Sequence, residues 1–252
     1  MNSWEVPGGF TNTGLAATPD GMLAIGDFKN GRVVICDPKR GRLVSAVTLE
    51  SAPSLSVQGV AWDTSRSAWW VCHRANGPMG SLRRYSTSGA LQQTFSLSAI
   101  STDGPNGCVY DAANDRILIA CGDNRIRGID CADGSVDENL LLDSTVVGSG
   151  VADGLTLDPS EPTTRIWVSV DAPRRRIVKV NRSTGVAVAS CFFQDEAEDL
   201  AWLNGRLYVC SDQNKFESLG SGSNVPNGNR VHWIYPESPG THTLPVGGYS
   251  VG

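Results

Sequence analysis

Five polar side chains recur along the chain at intervals of 45 to 48 residues, each directly before a short apolar segment. Two are carboxylates, two are amides and one is a hydroxyl. They are Thr13, Gln58, Asn106, Asp153 and Glu198. Carboxylate and amide oxygens are the ligands that a hard cation such as calcium prefers. A fold that brings these positions together would form a polar, partly acidic site.

A second set of polar side chains follows the second apolar segment of each repeat. Its members are Asp27, Arg74, Asp123, Asp171 and Asp212. Neighbouring carboxylates raise one another's pKa unless a cation or an arginine neutralises them. We therefore predict an acidic binding surface that includes Thr13, Gln58, Arg74, Asp123, Asp171 and Asp212. In the alternative interpretation, the first set binds channel waters and the second set accepts hydrogen bonds from turn N–H groups.

The elements that position these residues form a repeat of strands. Its copies begin at Gly14, Gly59, Gly107, Gly154 and Asp199. In the third copy we predict strands at 108–110, 116–121, 125–130 and 136–142, separated by turns rich in Asp, Asn and Gly. A period of this size with four strands per unit is typical of a β-propeller.

The sequence therefore predicts an all-β, five-bladed β-propeller with four antiparallel strands per blade and almost no helix. We expect residues 1–252 to form a single domain, because no repeat can bury its apolar face alone. In a propeller the first strands line the central channel, so both polar sets would meet at one channel mouth. Either 3–6 or 241–246 would supply the strand that closes the ring, or both segments, which resemble each other, would pack there.

Composition excludes some functions. The net charge of −5 disfavours a nucleic-acid-binding protein. No apolar run approaches the ~20 residues of a membrane helix, and the start MNSWEVPGGF lacks signal-peptide features. We thus expect that the chain is synthesised in the cytoplasm and does not insert into a membrane. The seven cysteines lack zinc-type spacing, which favours buried structural thiols in a reducing compartment.

Two phrases of the chain resemble a known family. PNGCVYDAANDRILIACGD and ADGLTLDPSEPTTRIWVSVD are similar to the repeats of NHL-type propellers, and more so to those of the gluconolactonase, senescence marker protein and luciferin-regenerating enzyme family. The resemblance implies a divalent cation such as Ca²⁺ held by Asn106, Asp153 and Glu198, with Asp153 as the general base that helps water attack a lactone. The chain departs from that family in having five repeats rather than six, and Asp199 stands where the family has a glycine.

Other chemistry has little support. The sequence contains no G-x-S-x-G, H-E-x-x-H or P-loop motif, and its three histidines fall at unrelated repeat positions. Asp153 with Glu198 is the carboxylate pair that a glycoside hydrolase or a glycan-binding propeller would use. The longest departures from the repeat, 73–80 and 211–229, are expected to overhang the channel mouth, where they cover a ligand, dock onto a partner or form surface loops.

Two main hypotheses follow. The preferred one is a non-enzymatic interaction module, for instance a structural or receptor-binding subunit of a larger assembly such as a virus or phage particle, with a protein as its partner and the virion as its final location. The alternative is a metal-dependent, lactonase-like hydrolase at the channel mouth. The glycoside hydrolase or glycan-binding interpretation is a third option.

Overall fold

The computed structural model describes residues 2–6, 12–51, 56–74, 80–98, 100, 104–171, 175–193, 196–211 and 230–234. These residues form five antiparallel sheets of four strands each. The first strand of each sheet contacts the first strand of the next sheet, and the last contacts the first again. The predicted five-bladed β-propeller is confirmed.

The strands of the first four blades follow chain order from the axis outward. The first blade consists of β2 (Asn12–Ala17), β3 (Leu23–Asp27), β4 (Arg32–Asp37) and β5 (Arg42–Thr48). The second consists of β6 (Ser56–Asp63), β7 (Ala68–Arg74), β8 (Gly80–Tyr85) and β9 (Leu91–Ser96). The third consists of β10 (Pro105–Asp111), β11 (Arg116–Cys121), β12 (Arg125–Asp130) and β13 (Val136–Leu141). The fourth consists of β14 (Ala152–Leu157), β15 (Arg165–Val170), β16 (Arg176–Asn181) and β17 (Ala187–Phe192).

The fifth blade closes the ring by combining the two ends of the described chain. Its inner strands are β18 (Ala197–Leu203), β19 (Arg206–Ser211) and β20 (Arg230–Ile234), and its outer strand is β1 (Asn2–Glu5). Strand β1 pairs antiparallel with β20, with Ser3 opposite His232. The N-terminal candidate thus closes the ring, whereas 241–246 lies outside the described residues.

Each interface between neighbouring blades has its own apolar core. The five buried clusters join blades 1 and 2, 2 and 3, 3 and 4, 4 and 5, and 5 and 1. The second and third strands supply most of these side chains, because strands in the middle of a blade are covered on both faces. The outer strands β5, β13 and β17 are mostly exposed.

Two smaller expectations concern helix and cysteine. Within the described ranges, the single helix is the four-residue α1 (Ser144–Val147), which links the third and fourth blades and is capped by Asp143.

All seven cysteines lie in the described part of the chain and are free thiols. Six are buried and Cys191 is half-buried, as expected for thiols that pack as small hydrophobic side chains. No helix among the described residues has the length and apolar character needed to cross a membrane.

Candidate functional site

The five polar residues of the first set all lie in β-bulges. At the start of every innermost strand the pairing register shifts, as between Asn12 opposite Asp27 and Leu15 opposite Ile25. The same shift occurs in the other four blades. The bulged residues include Thr13, Gln58, Asn106, Asp153 and Glu198. We predicted that they precede the innermost strands, but they lie within them, because a bulge tolerates an extra unpaired residue and redirects its side chain.

Bulged residues in two blades bond to the next blade. The Thr13 hydroxyl donates to the carbonyl of Val57 at 2.5 Å. The Asn106 amide nitrogen donates to the carbonyl of Ala152 at 3.1 Å and to Oδ1 of Asp153 at 3.3 Å. The structure thus brings Asn106 and Asp153 together.

The carboxylates of this mouth are engaged in interactions. Asp153, Asp171 and Glu198 are half-buried, and each takes part in a polar or electrostatic contact. No group of three or more His, Cys, Asp or Glu side chains among the described residues is arranged to hold a metal ion. The predicted set of Asn106, Asp153 and Glu198 contains two carboxylates and an amide, so it is not a group of that kind and stays a prediction.

Two aspartates of the second set are paired with arginines. Asp27 is completely buried and accepts from Nε of Arg32 at 2.6 Å and from the side chain of Asn30. Asp123 accepts two hydrogen bonds from Arg127, at 2.7 and 2.6 Å. The bonds from Arg127 hold the pKa of Asp123 below its usual range. Asp27 also accepts from the turn N–H groups of Lys29 and Asn30 at 3.3 Å, as the alternative interpretation expected, whereas Arg127 bonds to Asp123 through its side chain.

The remaining members of the second set differ in their surroundings. The backbone N–H of Asp171 donates to the carbonyl of Val151 at 2.9 Å. Arg74 is exposed and its side chain lies close to Gly104 of the third blade. Asp212 lies outside the described residues, as do 75–79 and 212–229 of the two overhanging segments.

The centre of the ring contains a residue that the sequence argument did not assign to the site. The positions that start the five repeats form a ring around the axis, which we call the hub: Gly14, Gly59, Gly107, Gly154 and Asp199. The glycine backbones touch the equivalent residues of the next blade so closely that a methyl group on Gly107 would lie 2.7 Å from Cα of Gly154. Only Asp199 carries a side chain at this level.

The carboxyl of Asp199 accepts three backbone hydrogen bonds and is completely buried. Oδ2 accepts from the N–H of Leu15 at 2.9 Å, and Oδ1 accepts from Leu155 at 3.1 Å and Leu200 at 2.9 Å. Burial raises the pKa of Asp199 well above its usual range, although the three N–H bonds act in the opposite direction and the nearby Glu198 adds to the rise. The sequence signal was the single aspartate in a column of four glycines.

A polar cavity of about 390 Å³ lies on the opposite face of the ring. Its lining includes Asp20, Asp37, Arg40 and Asn204, from turns of the first and fifth blades. The bulges lie at one end of the innermost strands, and these turns lie at the opposite end of the blades. The cavity is therefore separate from the channel mouth.

The fold and the hub define a five-bladed β-propeller whose innermost strands approach one another closely at the hub. No family model matches the chain, and no curated protein matches it. Among solved structures, it is similar to a glutaminyl cyclase of Myxococcus xanthus at 11% identity and a TM-score of 0.64, over 92% of this chain and 93% of that one.

Two further structures are similar to this chain. A protein of unknown function from Bacteroides caccae has 14% identity and a TM-score of 0.55, over 90% of this chain and 78% of that one. A chain of a nidogen/laminin complex has 14% identity and a TM-score of 0.55, over 81% of this chain and 73% of that one. At these identities the likeness concerns the fold alone.

Proposed function

We propose that the chain is a non-enzymatic interaction module that presents its surface on a rigid disc. The observation that supports this most is that several polar side chains at the hub and the channel mouth bond to other groups of the same protein. Asp199 fills the hub, Asn106 bonds to Asp153, and Asp27 and Asp123 are paired with arginines. An active site needs polar groups directed at a substrate, whereas these side chains bond within the protein.

The outer surface of the fourth blade also supports an interaction role. The edge strand β17 has no charged residue, and its side chains Val188 and Phe192 are 52% and 68% exposed. Natural edge strands usually carry charges that prevent pairing with another chain, and exposed apolar side chains are typical of contact surfaces. The finer proposal is a structural or receptor-binding subunit of a larger assembly, such as a virus or phage particle. The nidogen/laminin complex gives an example of a similar fold in a protein–protein complex.

The second candidate is a metal-dependent, lactonase-like hydrolase. It is favoured by the proximity of two of its three predicted ligands, since the side chains of Asn106 and Asp153 lie 3.3 Å apart at the channel mouth whichever atom of the amide faces the carboxylate. In that function Asn106, Asp153 and Glu198 would hold the cation, which would polarise a carbonyl oxygen, and Asp153 would accept a proton from the attacking water. The amide of Asn106 would then have to turn its oxygen toward the cation.

Calcium titration of metal-free protein separates the two functions. Since a ligand that binds only the folded state stabilises it by about 2.7 kcal/mol at 100 times its dissociation constant, a calcium site would raise the melting temperature clearly. We expect millimolar calcium to leave the melting temperature of the native protein unchanged. The melting temperature of Asp153→Ala should likewise not respond to calcium. A shift in the native protein that Asp153→Ala abolishes, together with lactone hydrolysis, would replace our proposal by the hydrolase.

The assembly itself is tested with protein purified from its native source. We expect light scattering to give a mass well above that of one chain, and Phe192→Lys to release the chain from the complex while its melting temperature stays within 2 °C, roughly the effect of a neutral surface change. A monomer in the native extract would contradict the proposal.

A further inference from the structure

The hub combines backbone donors with a space that glycines leave open. In the first, fourth and fifth blades the N–H group of the residue after the hub position donates toward the axis of the ring. Three of these groups, those of Leu15, Leu155 and Leu200, converge on the two oxygens of one carboxyl. Convergent backbone N–H groups of this kind form sites for carboxylates and other anions.

The space for that carboxyl is fitted to its size. A methyl group on either Gly107 or Gly154 would lie 2.5 Å from Oδ1 of Asp199. This distance is too short for a methyl carbon and an oxygen that are not bonded to each other. The hub therefore accommodates a single carboxyl and little else. A fifth glycine in place of Asp199 would remove a CH2–COO⁻ group, which is larger than a formate ion, and would leave the three donors around the empty space.

We propose that the hub is a carboxyl-binding site whose ligand is the chain's own Asp199, and that this contact locks the fifth blade onto the first and fourth blades. The donors of Leu15 and Leu155 belong to those two blades, whereas Asp199 belongs to the fifth. Because the bound group is covalently part of β18, binding it also fixes the position of the last blade in the ring. This role is independent of the partner or substrate of the channel mouth.

Chemical rescue tests the site. In Asp199→Gly we expect the melting temperature to fall by about 6 to 12 °C, as the loss of three hydrogen bonds predicts for a chain of this length. Sodium formate should recover at least half of that loss, whereas sodium chloride at the same ionic strength should not. The native protein should not respond to formate, because its site is filled.

A matched control separates site binding from general salt effects. Val209→Ala removes a buried side chain of β19 and destabilises the same blade without opening the hub. An equal formate response in Val209→Ala, no formate response in Asp199→Gly, or an unchanged melting temperature in Asp199→Gly would each overturn the proposal.

The conservative variant Asp199→Asn keeps the test independent of whether Asp199→Gly folds. Its carbonyl can replace Oδ1 and accept from Leu155 and Leu200, but its NH₂ group faces the N–H of Leu15. We expect hydrogen exchange of the Leu15 amide to become at least tenfold faster while that of Leu155 changes less than threefold. Equal changes at both amides, or none, would show that Asp199 acts only as a packed side chain and would overturn the proposal.

Discussion

Oδ2 of Asp199 accepts a hydrogen bond from the N–H of Leu15 at 2.9 Å, across 184 positions of the chain. This bond joins the fifth blade to the first at the axis. At the outer edge, the pairing of β1 with β20 closes the same ring. The propeller is thus closed at two different distances from its axis, so that fraying of the outer strand leaves the inner contact in place.

The close packing of the hub predicts that Gly107→Ala is strongly destabilising. The added methyl group would lie 2.5 Å from Oδ1 of Asp199 and 2.7 Å from Cα of Gly154, and backbone of the next blade cannot move aside locally. We expect a loss of about 3 kcal/mol in unfolding free energy, measured by urea denaturation. Gly128→Ala is the comparison within the same blade and should lose less, since its methyl group would meet the flexible ends of Asp137 and Arg116, which can rearrange, and Cβ of Glu138 at 2.9 Å, but no backbone of another blade. Equal losses in both variants would argue against a tightly packed hub.

The contact of Gly41 with β1 predicts a second glycine effect. Gly41 has φ of 58°, and a methyl group there would lie 2.8 Å from Cβ of Trp4. Gly205 has φ of 73° but no atom within 4 Å of such a methyl group. We expect Gly205→Ala to cost about 1 kcal/mol from backbone strain alone, and Gly41→Ala to cost about 2 to 3 kcal/mol because it also displaces β1. Urea denaturation of the two variants gives the comparison, and an equal cost would show that Trp4 does not pack on this turn.

Buried His73 predicts a loss of stability in acid. Its Nε2 lies 2.9 Å from the hydroxyl of Tyr85, and burial, with a contribution from Arg83, lowers the pKa of His73 to about 3. The unfolded chain protonates this imidazole below pH of about 6.5. Between pH 6.5 and about 3 the unfolded state therefore binds more protons, so the unfolding free energy falls as the pH falls, by on the order of 5 kcal/mol in total.

The variant His73→Gln isolates this contribution. Glutamine does not titrate, so the variant should lack the part of the pH dependence that His73 causes, although it is less stable at pH 7 because it disturbs a buried side chain. The measurement is the unfolding free energy of both proteins from pH 7 to pH 4. Parallel pH profiles would mean that His73 is protonated without cost in the folded state.

The buried side chain of Arg182 predicts a coupling between the third and fourth blades. Its Nη2 bonds to Asp111 and to Glu138 at 2.8 Å, and its Nη1 donates to the carbonyl of Pro162 at 3.1 Å. Burial acts to raise the pKa of Asp111, but the hydrogen bonds from Arg182 and Asn114 outweigh it and the pKa is lowered. Arg182→Met leaves the buried carboxylate with fewer partners and should cost about 3 kcal/mol.

Two further measurements test the role of Arg182. Arg182→Lys keeps the charge but not the forked geometry, and should lose less than Arg182→Met. Because the pKa of Asp111 is lowered in the folded state, its contribution is present above pH of about 4 and is lost as the pH falls. The difference between native protein and Arg182→Met should therefore shrink in acid, and a difference independent of pH would contradict the ion-pair explanation.

The thiols should be unreactive in the native state. Burial raises the pKa of Cys36 and of Cys131 to about 12, and that of half-buried Cys191 to about 11. Since the thiolate is the reactive form, we expect Ellman's reagent to label none of the seven thiols quickly in native protein and all seven in urea. Cys191 should be the first to react, and Cys191→Ser should remove that first phase. Rapid labelling of another thiol would show local opening of its blade.

The repeat predicted the architecture because the same order of strands and turns recurs in each copy. The predicted third-blade strands 116–121 and 125–130 match β11 and β12 residue for residue. The innermost strand β10 begins at Pro105, earlier than predicted, since its bulge interrupts the alternation that defines a strand in sequence. The choice between the two closing segments stayed open because each has similar composition, and only the pairing of β1 with β20 decides it.

The site was harder to predict than the fold. Alignment placed the bulged residues at equivalent positions, but it gave no partner for Asp27 or Asp123, whose arginines lie five and four residues farther along the chain. The hub was missed for a related reason. Asp199 departs from the glycine column, and a single departure has no repeat partner from which its role can be inferred; the donors of Leu15 and Leu155 become visible only when the ring is closed.

The pairing of Asn2–Glu5 with Arg230–Ile234 has a consequence for biosynthesis. β1 is synthesised before its partner β20, with four complete blades between the two strands. Until then the first blade exposes an apolar flank that the fifth blade will cover, and the loop to be closed spans more than two hundred residues, at an entropic cost that grows only slowly with length. Newly made chains should therefore pass through open four-blade arcs before the fifth blade forms, and these arcs are the stage at which chaperones would find a binding surface and neighbouring chains could exchange their β1 strands.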